Sequence, residues 1–319
     1  MSIISRVLVQ LSFLQLFRIE NTSQIDLRAW VANQKYYIDE LHDKEEFILY
    51  FTYKEYIAIA IANDCNRMAT AAIESIEGIQ KEPFFHKCSA WLVIRAYYAS
   101  FFAAHALLRI FGRSCTQLEG EHAAKVFEMA LAQGKANGIT KIESGFYSAM
   151  IDYELGKVHF KKLKDSHADT WSEFNRLIHF LMDNLEHTIS PAKNREISFD
   201  YLKDLKSNIS RSGCATKGNW LSNVRNNVNY RHEYGVWFPY INSLLKCDDI
   251  IRLARYWKDD PQLSLRLQMR NELELFIATC VSVVSLLRDI INEAIPRMST
   301  RKNIFKNWAA KILNLSGAV

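Results

Sequence analysis

The residues best suited to chemistry lie together in Val224-Arg225-Asn226-Asn227-Val228-Asn229-Tyr230-Arg231-His232-Glu233-Tyr234. Arginine offers a fixed, permanently charged fork that grips phosphate and neutralises charge developing in a transition state. Histidine moves protons near neutral pH. RNA carries its own nucleophile, the 2′-hydroxyl. Arg225 and His232 are therefore a minimal kit for cutting RNA without metal, most plainly if a second copy faces the first. Read as a helix, positions 225, 229 and 232 share one face, and Arg225 and His232 are separated by roughly 10 Å of rise. Val224 and Val228 anchor that helix on the core. Three asparagines within four residues disfavour a helix interior, which marks a place where function overrides local preference. An arginine and a histidine seven apart recur in many helical proteins, so the spacing alone decides little.

The elements that must position this segment read as helices throughout. Eleven Gly and five Pro in 319 residues leave few tight turns. Three capping boxes, Thr116 with Glu119, Thr140 with Glu143 and Thr170 with Glu173, predict helix starts. Helices are expected over 39–77, over the apolar stretch Cys88 to Phe111 stopped by Gly112, and over about 119–135, 141–165, 171–188, 197–211, 220–232 and 240–253. Pro83 separates the first two. Residues 211–218 read as a loop. Asp259-Asp260-Pro261 opens a further helix that runs to Ile295 and stops at Pro296. The expected fold is all-α: an N-terminal helical extension over 1–82, a helical core over 83–253, and a C-terminal helical arm over 254–319.

Composition narrows the function classes. The chain carries 40 basic and 35 acidic residues, and Arg297, Arg301, Lys302, Lys306 and Lys311 account for the whole excess. With Ile304, Phe305, Trp308, Ala309, Ile312 and Leu313 at helical spacing, the tail reads as a basic amphipathic helix. It suits RNA, an acidic membrane surface or a partner, or simply docks on the body with its lysines in water. The six cysteines are scattered singly without a CxxC, as expected of reduced thiols in a cytoplasmic protein. The uncharged run at Val7–Phe17 follows Arg6 without a small-residue cleavage site and reads as a buried helix rather than a signal peptide, and the run at Leu275–Leu287 is too short for a bilayer, so no transmembrane segment is expected. Walker, GxGxxG, HExxH and GxSxG motifs are absent, and the histidines form no metal-ligand motif, so neither cofactor nor metal is expected. His159 and His167 flank Lys161, Lys162 and Lys164, which reads as a solvated face.

Two stretches resemble the HEPN superfamily. Its signature is an arginine, four to six residues and a histidine, commonly with a polar residue after the arginine. Arg225, Asn226 and His232 fit at the long end of that range. Upstream, Arg95-Ala96-Tyr97-Tyr98-Ala99 through His105-Ala106-Leu107-Leu108, with Gly112 and His122 beyond, is similar to the family's other recurrent pattern. It departs at Phe102, where a histidine is frequent. The resemblance spans about 85–240, with 130–210 including inserted helices. It implies a dimeric helical bundle whose two signature segments form a composite cleft for metal-independent RNA cleavage, in a toxin or phage-defence role. Arg225 would grip phosphate, His232 would act as acid or base, and Asn226 would orient one of them. Arg95, Tyr98, Phe102, His105 and Arg109 share a face, read as packing plus surface charge. Some such toxins carry His-x-Tyr and are silenced when a neutralising partner adds AMP to the tyrosine; His232-Glu233-Tyr234 has that form. The alternative is a catalytically inactive module that binds a nucleotide or a protein through the same residues.

Overall fold

Strands form where side chains alternate. In Lys157–Lys162, Val158 and Phe160 are fully buried and their neighbours are not. The same period of two buries Phe47 and Leu49 in Glu46–Tyr50, and Tyr147 and Ala149 in Gly145–Asp152. The computed structural model describes residues 2–20, 24–81, 88–211, 213–214, 217–239, 242–297, 303–307, 309–315 and 317. Its strands are β1 (Tyr37–Leu41), β2 (Glu46–Tyr50), β3 (Arg113–Leu118), β4 (Gly145–Asp152) and β5 (Lys157–Lys162), in one antiparallel sheet of order β1-β2-β5-β4-β3. Phe47 pairs with Phe160 across β2 and β5, their rings stacked at 5.0 Å.

The helices are α1 (Ile3–Leu8), α2 (Leu27–Ala32), α3 (Lys54–Lys81), α4 (Ala90–Ile110), α5 (Gly120–Ala132), α6 (Ala168–Asp183) and α7 (Ala192–Ile209), then α8 (Trp220–Tyr230), α9 (Cys247–Ala254), α10 (Pro261–Arg266), α11 (Glu272–Ala294), α12 (Ile304–Asn307) and α13 (Ala309–Leu315). The expected all-α, HEPN-like bundle with inserted helices is therefore corrected to a mixed fold, mostly helical with one five-stranded antiparallel sheet. Residues 39–77 hold most of β1, all of β2 and most of α3, and 141–165 hold β4 and β5. The reason is non-local: β2 pairs with β5 more than a hundred residues away, and such pairing overrides local helix signals.

The capping boxes fail individually. Thr116 lies in β3, and α5 is capped instead by Glu119 with His122. Thr140 and Glu143 open no helix; the Glu143 carboxylate accepts from Lys162 at 2.6 Å and Lys44 at 2.7 Å. Those two lysines hold Glu143 down at about 2. Thr170 sits inside α6, its hydroxyl donating to the Ser166 carbonyl. Asp260 does cap a helix with Pro261 in its first turn, but α10 stops at Arg266 and α11 restarts under Asn271. The stop at Gly112 holds: α4 ends at Ile110 and Gly112 takes φ +71°.

α3, α4 and α11 form the centre of the helical layer. α4 is long and apolar enough to cross a bilayer, yet 72% of its apolar window is buried inside the protein. In the C-terminal tail Ile304, Phe305, Ala309 and Leu313 are buried, and the Asn66 side chain accepts from the Ala309 backbone N–H at 3.1 Å. The tail is thus docked on α3 rather than free. Pro83, Arg301, Lys302 and Trp308, named above, lie outside the described residues, as do positions 212 and 215–216 of the expected loop and 240–241 of the helix expected over 240–253.

Candidate functional site

α8 is held by Trp220, Leu221, Val224 and Val228, all buried, and packs against α4 and α6. That packing carries Arg225 inward, leaving it only 9% exposed. One guanidinium nitrogen, Nη1, donates to Asn226 Oδ1 at 2.8 Å, and Nη2 donates to the Tyr98 hydroxyl at 2.9 Å. Its carbon lies 5.8, 5.7 and 5.6 Å from the ring centres of Tyr97, Tyr98 and Tyr230, within cation–π range. Nε has no acceptor among the described residues. Tyr98 belongs to the Arg95–Leu108 stretch, so the two segments singled out in the sequence meet at this hydrogen bond.

Buried arginines divide into two kinds here. Arg288, 4% exposed, holds the Asp289 carboxylate and the backbone carbonyls of Trp257 and Asp259. Among the described residues Arg225 and Arg109 are also buried, and neither has a carboxylate partner. A buried charge without a counter-charge is costly unless a ligand supplies one.

His232 is placed differently from expectation. α8 ends at Tyr230, its Val228 carbonyl taken by the Trp237 indole N–H at 2.7 Å. His232 follows in the left-handed region at φ +53°, and Tyr234 repeats this at φ +69°. Two non-glycine residues there within three positions are a strained turn of the kind that clusters at functional sites. The predicted single helical face of Arg225, Asn229 and His232 is therefore broken. His232 is exposed, its ring 6.1 Å from that of Trp237, and no hydrogen bond or ring contact joins it to Arg225 among the described residues. Trp91 packs edge-on to Trp237 at 5.2 Å, so the histidine adjoins an aromatic pair, and Tyr230, Trp91 and Phe238 are 71%, 62% and 61% exposed. Asn226 is where the sequence reading needs it, on the arginine. Tyr234 is half-buried; its hydroxyl donates to Glu272 at 3.1 Å, and burial pushes it up to about 12.

The residue missed in the sequence is His167. Far from a solvated face, it is half-buried, with Nδ1 3.0 Å from the Tyr97 hydroxyl and its ring 6.0 Å from Tyr98. Tyr97 also accepts from the Trp171 indole N–H at 3.2 Å, which fixes the phenol beside His167. Burial, then the Arg225 charge, draw His167 below the usual histidine value. The only sequence hint was that position 167 immediately precedes the apolar periodicity of α6. His42, Glu46 and His159 bring three ligand atoms within 4.8 Å of one another on the sheet, a group the sequence reading did not find. Glu46 there already holds His159 and Lys161.

No family model, curated protein or solved structure matches the chain.

Proposed function

We propose that the chain is a metal-independent endoribonuclease of HEPN type that acts as a toxin or antiviral effector, its site composed across a homodimer. The observation that carries this reading is Arg225: a buried guanidinium fixed at two points by Tyr98 and Asn226, with no carboxylate and no Nε acceptor among the described residues. Such a group is pre-organised for a phosphodiester oxygen. His232, exposed on a strained turn at the end of the same helix, serves as acid or base. Because Arg225 and His232 do not touch within one chain, the partner copy completes the pair, the aromatic pair beside His232 forming the contact. A neutralising protein that adds AMP would act at Tyr234.

The test is RNA cleavage by the purified full chain in EDTA, with Arg225→Ala and His232→Ala alongside. Loss of cleavage in both is expected. Cleavage equal to the parent in both variants refutes the assignment.

A further inference from the structure

Arg109 poses the same problem as Arg225, in a different place. It lies on α4, 2% exposed, and it lines a cavity of about 490 Å³. Nη1 donates to the His105 carbonyl at 2.9 Å, and Nη2 to the Cys115 carbonyl at 3.2 Å. Nε has no acceptor among the described residues, and no carboxylate reaches the guanidinium. The acids that line the cavity are engaged elsewhere: Asp26 holds Arg28 and Arg67, and Asp64 holds Arg67 and the Leu27 N–H. His105 does not add a second charge, since burial and then Arg109 keep it neutral. What remains is a deeply placed cation with no counter-charge among the described residues.

The rest of the cavity says what should bring that charge. Phe101, Phe102 and Phe146 give it an apolar, aromatic wall. The His167 imidazole contributes to the same lining, and Thr116 and Ser166 add hydroxyls. Aromatic faces beside a cation and a few polar groups suit a flat ring joined to an anion, and the volume is that of an ordinary small-molecule site. We infer that this cavity is a binding site for a nucleoside monophosphate, its phosphate on Arg109 and its base against the phenylalanine wall. The site does not use Arg225 or His232, so it stands or falls independently of the ribonuclease reading.

Isothermal titration of the full chain with AMP, ribose 5-phosphate, inorganic phosphate and adenosine tests it. AMP should bind at least tenfold more tightly than either adenosine or inorganic phosphate, with ribose 5-phosphate between. Arg109→Met should abolish AMP binding without lowering the melting temperature of the ligand-free protein, because the variant removes an uncompensated charge. Should that variant not fold, Phe146→Ala must weaken AMP by about tenfold and leave inorganic phosphate unchanged. No AMP binding at millimolar concentration, equal binding of adenosine, an unaffected Phe146→Ala, or an Arg109→Met protein that binds AMP normally but melts lower would each overturn the proposal. The last result would make Arg109 a strut between α4 and β3 only.

Discussion

Tyr98→Phe is the sharpest probe of the Arg225 site, because it removes one oxygen and little else. The ring stays, with its cation–π contact to Arg225 and its packing on Phe102 and His167. What disappears is the acceptor of Arg225 Nη2. A hydrogen bond to a charged group contributes about 1.5–3 kcal/mol, and the part-buried setting puts this one near the lower bound. Urea unfolding should therefore show a loss of about 1.5 kcal/mol. If the same bond orients Arg225 toward phosphate, RNA cleavage in EDTA should fall by about tenfold for each 1.4 kcal/mol of transition-state stabilisation lost. Asn226→Ala removes the other anchor. Because both act on one guanidinium, the double variant should depart from additivity by more than about 0.5 kcal/mol. A Tyr98→Phe protein with parental stability and parental cleavage would refute the idea that Tyr98 positions Arg225. Parental cleavage with the full loss of stability would leave Tyr98 a structural residue and separate the two roles.

Three further outcomes are expected. His105 and His167 both lie below the usual histidine value in the folded chain, so the unfolded state binds protons more readily; stability should be full above about pH 6.5 and fall as pH drops below it, a loss that Arg109→Met should lessen at His105, by urea titration across pH. Glu143, held at about 2 by Lys162 and Lys44, acts in a separate window: its contribution persists above the ordinary carboxylate value and is lost as pH falls toward 2, and Glu143→Gln should flatten that acid limb. Gly235→Ala should destabilise far more than Gly213→Ala: both glycines have positive φ, but a Cβ on Gly235 meets the Asn242 carbonyl oxygen at 2.6 Å whereas one on Gly213 meets nothing, so only the roughly 1–2 kcal/mol left-handed penalty applies to the latter, as thermal unfolding would show.

The sequence was legible where a local rule had no competitor. The apolar run of α4, its stop at Gly112 and the Asp260–Pro261 start depend on residues within a turn of one another. The strands were not read, although Lys157-Val158-His159-Phe160-Lys161 alternates plainly, because the acid three residues after Thr140 suggested a helix cap. Glu143 instead serves an ion-pair cluster whose members come from positions 44 and 162. Arg225 and Asn226 stand out in the sequence by residue type, and in the structure the one donates to the other. The acceptor at Tyr98, 127 residues away, gave no local sign, nor did the proximity of His167. His232 lies off the expected face because α8 ends at Tyr230, where the Trp237 indole takes the Val228 carbonyl, a contact from nine residues on that a helical period does not register.

Arg109 and Arg225, buried with no carboxylate partner among the described residues, connect stability to the proposed functions. A chain selected for stability alone has an easy remedy for a buried guanidinium, and α11 displays it: Arg288 takes the adjacent Asp289 and two carbonyls. Among the described residues Arg109 and Arg225 lack that remedy; Asp64 even lines the Arg109 cavity but spends its oxygens on Arg67 and Leu27. Supplying either arginine with a carboxylate would stabilise the protein and fill the position an anion needs. If the pair were merely structural, substituting apolar residues at 109 and 225 would cost stability through lost carbonyl and hydroxyl contacts and change nothing else. If they are anion sites, the same substitutions leave the ligand-free protein as stable or more so, and each abolishes a different activity: nucleotide binding at 109, RNA cleavage at 225.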